Sequence, residues 1–314
     1  MVLRKWKRYI FGISPRQASF AQRGFSAVDV HARTRLERVG ETFIHGYTAS
    51  LDDAGTQALA EVLAQVDPEM RGFAFEGAAM GLALLDLTSL WRHDRVDGFL
   101  TGPARQHPYM THVGIGWALA RLRKRLRGYF RRLDPLLRWL SVDGYGFHEG
   151  YFHPAQAIRA GRIPGRLKGY ARRAFDQGLG RSLWFVLGAD IERIATTIKH
   201  LDQRRHGDLY SGVGLAATYA AGGPGGGLET LLATAGPHLG ALAQGAAFAA
   251  KTRERAGNPA EHTELACRAL CGISAGDAAA VTDHALEGLP DDVDGEAYEM
   301  WRQRIQDHFQ RTLS

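Results

Sequence analysis

The chain has 314 residues, 45% hydrophobic and 23% charged, which supplies a full core and excludes bulk disorder. Two cysteines argue against a disulfide-stapled secreted scaffold and fit a reducing cytosol. The basic N-terminus lacks an apolar stretch of signal-peptide length, so a cytoplasmic location is expected. The net charge of +6 is unevenly spread: residues 121–173 hold fourteen Lys or Arg against three acids, and the first 23 residues add six bases and no acid. Such a field attracts an anionic partner and says nothing about fold.

In chain order, residues 1–33 read as a basic lead-in without clear periodicity, and 34–314 as a single helical domain. Ser50-Leu-Asp-Asp53 has the form of a capping box. It would open a helix carrying Leu59, Val62, Leu63 and Val66 on one stripe, stopped by Pro68. Phe73 to Trp91 is the longest apolar run. It carries Glu76 and Asp86, and a carboxylate at membrane depth costs about 2.5–3.5 kcal/mol, so a buried central helix is expected and no transmembrane segment. Tyr109 to Leu122 follows as a helix and runs into an Arg-rich helix, Arg121 to Arg132, with Leu122, Leu126, Phe130 and Leu133 as its buried stripe.

Ser141 to Arg166 contains Gly144, Gly146, Gly150, Pro154, Gly161, Pro164 and Gly165, which predicts an irregular loop. Helices resume over Tyr170–Leu187, Ile191–Leu201, Leu209–Ala221 and Leu228–Lys251, the last kinked or split at Pro237. Asn258-Pro259 opens another helix that Gly272 closes. Ser274-Ala-Gly-Asp277 is a second capping box, and an acidic turn at Asp291–Glu296 precedes a last helix through Phe309. No run alternates with period two, and no repeat at a fixed period is evident. The expected fold is all-α, a multi-helix globular bundle around a central apolar helix.

The densest polar cluster is Asp143-Gly-Tyr-Gly-Phe-His148-Glu149-Gly-Tyr-Phe-His153. A zinc helix needs histidines at i and i+4 on one face; here the spacing is i+5, so the zincin pattern fails. A metal held by loop ligands lacks an identified third ligand, and none is assigned. His148 and Glu149 read either as an acid–base pair or as hydrogen-bonded pins of an aromatic loop. Glu76, inside the most apolar helix, is expected to have a raised pKa and to be either a site acid or a paired structural acid. Asp176 is a further catalytic candidate. His112, Asp143, His153 and Arg181 are candidates for substrate binding, Arg181 because guanidinium grips carboxylate or phosphate in bidentate fashion. Cys267 and Cys271 share a helix face and read as core. No phosphate loop, dinucleotide fingerprint, nucleophile elbow or nucleic-acid motif occurs.

Several segments together resemble one family: Gly72-Phe-Ala-Phe-Glu-Gly-Ala-Ala-Met80, His112-Val-Gly-Ile-Gly-Trp-Ala-Leu-Ala120, Asp143 to His153, and Tyr170 to Trp184. Gly212-Val-Gly-Leu-Ala216, Gln244 to Lys251 and His262 to Cys267 add to them. The chain is similar, from about Arg33 to Phe309, to the bacterial domain-of-unknown-function family 1702, whose members accompany the polyketide synthases of enediyne biosynthesis. The resemblance implies a role in natural-product assembly and supplies no catalytic residues.

Three functions follow as expectations. The first is acid–base chemistry of a cyclase or isomerase type on an apolar polyene intermediate, with Glu76, His148, Glu149 and Asp176 around an apolar pocket. The second is a non-catalytic scaffold whose basic segment docks an acidic carrier-protein domain. The third is a helical isoprenoid or polyene cyclase started by protonation. No Asp-Asp-x-x-Asp magnesium motif lies on a helix, no cofactor is named by the sequence, and nucleic acid is not an expected partner.

Overall fold

A computed structural model describes residues 2–123, 126–224 and 226–313. In chain order the helices are α1 (Val2–Phe11), α2 (Phe20–Arg23), α3 (Val30–Leu51), α4 (Thr56–Ala64), α5 (Arg71–Thr88), α6 (Arg95–Thr101), α7 (Pro108–Arg121), α8 (Leu126–Phe130) and α9 (Arg138–Phe152). They continue as α10 (Ala171–Val186), α11 (Ile191–His200), α12 (His206–Ala220), α13 (Gly227–Ala235), α14 (Leu239–Ala256), α15 (Glu261–Cys271), α16 (Ala275–His284) and α17 (Glu296–Leu313). No strand occurs among the described residues, and the fold is all-α.

Local signals explain many of the ends. Asp29 accepts from the Ala32 amide at 2.7 Å and starts α3, and Ser274 accepts from the Asp277 amide at 3.1 Å and starts α16, the second capping box as expected. Gly272 ends α15 in the left-handed conformation at φ 71°. The Pro237 region forms a short 3-10 turn that splits α13 from α14.

Seven helices stand in one row: α3, α5, α7, α9, α10, α12 and α14, each packed chiefly on its neighbours. The helix predicted to be central, α5, is buried from Gly72 to Asp86 and sits between α3 and α7. What sets the spacing is a glycine on each successive helix. A Cβ at Gly77 would lie 1.9 Å from the Phe43 carbonyl oxygen, at Gly114 2.1 Å from that of Glu76, and at Gly144 2.0 Å from that of Val113. The chain of contacts goes on: Gly178 meets the Asp143 oxygen at 1.8 Å, Gly212 that of Gln177 at 1.9 Å, and Gly245 that of Ser211 at 1.9 Å. Only a residue without Cβ lets two helix backbones come this close.

Several expectations are overturned here. Ser141 to Phe152 is not a loop: α9 runs from Arg138 to Phe152, and its glycines are packing sites on α7 and α10 rather than bends. The box at Ser50–Asp53 caps nothing; α3 runs to Leu51, Ser50 donates to the Tyr47 carbonyl at 2.7 Å, and α4 starts only at Thr56. Asp52 and Asp53 instead pair with Arg8, Lys7 and Arg95. The expected continuous helix Arg121–Arg132 is broken, because α7 ends at Arg121 and Arg123 turns the chain at φ 50°. Lys124 and Arg125, and the side chains of Leu126 and Arg127, lie outside the described residues. Asn258-Pro259 does not start α15, which begins at Glu261. The lead-in holds helices α1 and α2, and Ala18 and Phe20 are buried against the bundle.

Three cations of the basic segment are paired internally. Arg132 pairs with Asp97 at 2.8 Å, Arg138 with Asp292 at 2.9 Å and Arg173 with Asp208 at 3.0 Å. Arg159, Arg162, Lys168 and Arg172 remain exposed. Among the described residues no single helix is long and apolar enough to cross a membrane; α15 and α16 pass only as a pair, bent by 65°.

The row makes a direct prediction. Gly144→Ala drives a Cβ into the Val113 carbonyl and should cost roughly 2 kcal/mol after the gain in helix propensity is counted. Gly128→Ala, in α8 with open space around it, should be neutral or stabilising by up to about 1 kcal/mol. Urea unfolding of both variants checks the pair; equal midpoints would refute the packing account.

Candidate functional site

Three of the residues singled out from the sequence meet inside the row. Glu76 projects from α5, Asp143 from α9 and Arg181 from α10, all buried. Arg181 donates through Nη1 to Asp143 Oδ1 in a very short contact, and its Nη2 lies 3.8 Å from Glu76 Oε1. Trp117 Nε1 of α7 donates to the same Glu76 oxygen at 3.0 Å, and Gln177 Nε2 of α10 donates to Asp143 Oδ2 at 2.9 Å. One guanidinium therefore serves two carboxylates.

Burial, with that sharing behind it, sets the protonation state. Burial pushes the Glu76 carboxyl up to about 7; Arg181 and the Trp117 N–H pull it down, while the charge of Asp143 pushes it further up. Both contacts fall on Oε1, so the proton belongs on Oε2. Near neutral pH Glu76 can therefore give a proton or take one.

Glu76 and Arg181 form the charged part of the wall of a narrow, partly open pocket. Most of the remaining wall is aromatic and aliphatic: Phe43, Phe73, Trp117, Phe147, Tyr151 and Phe152 carry most of it. The rings support one another, with Phe43 and Trp117 centroids 4.4 Å apart and Trp117 and Phe147 5.0 Å apart. Arg181 also lies 5.1 Å from the Phe147 ring centre. The N-terminal segment closes one side through Ile13, Gln17 and Ala18. Tyr47 Oη donates to the Phe11 carbonyl at 2.5 Å, Tyr151 Oη to that of Gln17 at 3.3 Å, and Arg23 to that of Tyr151. A second narrow pocket is lined by Arg181 and Asp143 together with Tyr109, Tyr219 and Trp301.

The other candidates are placed differently. His148 packs edge-on to Trp117, ring centres 5.9 Å apart, but lines neither cavity. Its Nδ1 lies 3.3 Å from Glu149 Oε1, and His153 Nδ1 lies 3.5 Å from Glu149 Oε2. Among the described residues these three gather ligand-type atoms within 4.8 Å of one another. Glu149 and His153 are one helical turn apart, which the i+5 count from His148 concealed.

Asp176 does not join the cluster. It is held by Arg205 at 2.6 and 3.0 Å and lines neither cavity, although burial pushes it up to about 6. His112 is likewise no wall residue: its Nδ1 donates to the Pro108 carbonyl at 2.7 Å, inside its own helix, and burial lowers its pKa. Cys267 and Cys271 are buried thiols of the core. Trp117 and Gln177 escaped the sequence reading as site residues. Gln177-Gly178 has the same polar–glycine form as Glu76-Gly77 and Asp143-Gly144, and that pattern was the available signal.

A model of the family described as protein of unknown function (DUF1702) matches residues 2–309. The match thus reaches back through the basic lead-in, which the resemblance had left out. No curated protein and no solved structure matches the chain.

The protonation state is testable through stability. Glu76 titrates near 7 in the folded chain against an ordinary 4.5, so the native state holds an extra proton between those values. That contribution is complete below about pH 4.5 and is lost as pH rises through 7, on the order of 3 kcal/mol in all. The buried His148 and His112, held below their ordinary value, contribute in the opposite sense. Subtracting the Glu76→Gln stability curve from that of the wild type isolates the Glu76 part; curves that stay parallel from pH 4.5 to 7 would refute it.

Proposed function

The chain belongs to the DUF1702 family, and we propose that it moves a proton on an apolar, polyene-type intermediate of polyketide assembly held in the aromatic cavity. The observation that carries this reading is Glu76, a carboxyl near neutrality on a wall that is otherwise almost wholly apolar. An oily, ring-lined hollow suits an unsaturated hydrocarbon chain better than a sugar or nucleotide.

The chemistry would run through the chain's own groups. Protonated Glu76 gives its Oε2 proton to the bound molecule, and Arg181, already 3.8 Å from Oε1, offsets the carboxylate left behind. Positive charge gained by the intermediate faces the π surfaces of Trp117 and Phe147. Return of a proton from another carbon to Glu76 completes an isomerisation or closes a ring without any net change in the enzyme. His148 and Glu149 lie behind Trp117 and take no part in this step. A prenyl-diphosphate cyclase is disfavoured, since the cavity's guanidinium is already bound to Asp143. Delivery by an acidic carrier domain fits the exposed Arg159, Arg162, Lys168 and Arg172.

Two measurements test the reading. Diphenylhexatriene, a neutral conjugated polyene, should bind with enhanced fluorescence, and Val39→Trp, which fills the cavity, should abolish it. A polyene thioester incubated in D₂O should gain deuterium or change its ultraviolet spectrum with the wild type. With Glu76→Gln the rate should fall by roughly 10²–10⁴ while diphenylhexatriene still binds. Equal rates would remove Glu76 from the chemistry.

A further inference from the structure

We propose that His148, Glu149 and His153 form a binding site for a divalent transition-metal ion, with an anion in the remaining coordination position. The donor set is two imidazoles and one carboxylate, which suits zinc or iron(II) rather than magnesium or calcium. The three residues gather their ligand atoms within 4.8 Å of one another. Donors around a tetrahedral ion at ~2.1 Å stand ~3.4 Å apart; here Nδ1 of His148 lies 3.3 Å from one Glu149 oxygen, and Nδ1 of His153 lies 3.5 Å from the other.

One detail separates an ion site from a plain hydrogen-bonded cluster. The Nδ1 atom of His153 is sealed from solvent yet makes no hydrogen bond, although a carboxylate oxygen is that close. An imidazole lone pair aimed at the same point as the carboxylate would leave that atom unsatisfied, and a cation between them satisfies both.

The local architecture explains how three contiguous-segment ligands converge. Helix α9 stops at Phe152, and His153 leaves helical geometry at φ −128°, ψ 50°, before Pro154 and a single π-turn over Ala155–Arg159. His153 lies one helical turn beyond Glu149, so the i+5 spacing from His148 that excludes a zinc helix does not exclude this site. Three protein ligands leave a position open, as in reactive rather than purely structural ions. Arg121 acts electrostatically on His148, and Arg123 on Glu149. These cations oppose a bare dication and favour one that carries hydroxide or a carboxylate.

The site does not depend on the proton chemistry assigned to Glu76. It sits against the far edge of Trp117 and next to Phe152, and both rings belong to the cavity wall. An ion there would fix the end of α9 and hold those rings.

Metal-stripped full-length protein titrated with zinc chloride in a calorimeter should bind one ion per chain, and cobalt(II) should give visible d–d bands. His153 is 44% exposed, so His153→Asn should leave the fold intact. It should weaken zinc on the order of a hundredfold, since even outer-shell partners of such ions are worth ~10–100-fold. Glu149→Gln should do the same, and zinc should raise the melting temperature of the wild type but not of these variants. His45→Ala, outside the cluster, should bind as the wild type does. No zinc binding by the wild type, or equal affinity in His153→Asn, would overturn the assignment.

Discussion

Contact between helix backbones at glycine governs this molecule. Along the row, a glycine of one helix receives a carbonyl oxygen of the helix before it, and the residue that offers the next carbonyl immediately precedes that glycine. Glu76, Val113, Asp143, Gln177 and Ser211 all hold this position. The dipeptide thus does two things at once: it brings the backbones together and sets a side chain at one level of the row. At that level the helices are close enough for a residue as short as Asp143 to reach both Arg181 and Gln177 on the next helix. Buried charges cost several kcal/mol each unless they meet a partner, so the spacing makes the polar cluster tolerable.

Charge balance then distinguishes this cluster from the other buried networks. Farther along, Arg173 and Arg302 face Asp208 and Glu299, two cations to two anions. Asp176 has Arg205 to itself, although burial raises its carboxyl too. Such matched sets hold elements together. At Glu76 and Asp143 a single guanidinium is shared, and the surplus carboxylate takes up a proton. At Glu76 the charge of Asp143 adds to burial in raising the carboxyl.

The fold class was legible because the apolar runs have helical length and period-two runs are missing. Glu76 stood out as a carboxylate inside an apolar stretch, and Asp143 and Arg181 as charged residues flanked by core. Glycine was the main source of error. Its usual meaning in a soluble chain is a turn, so Gly144, Gly146 and Gly150 signalled a loop where the structure has a buried helix. The regular placing of close-contact glycines along the row went unseen for the same reason. Convergence could not be read either: neither the chain distance between Glu76 and Arg181 nor the tilt of His153 after α9 is a property of local sequence. The break at Arg123 and the closure of the cavity by the N-terminal segment depend likewise on tertiary contacts.

Arg181 borders both hollows, and Asp143, its partner, borders the second. This ion pair is a party wall. A guest on one side would touch a side chain that also faces the other. By thermodynamic reciprocity any influence runs equally in both directions. The two chambers share one guanidinium, and any dependence between their guests would pass through it.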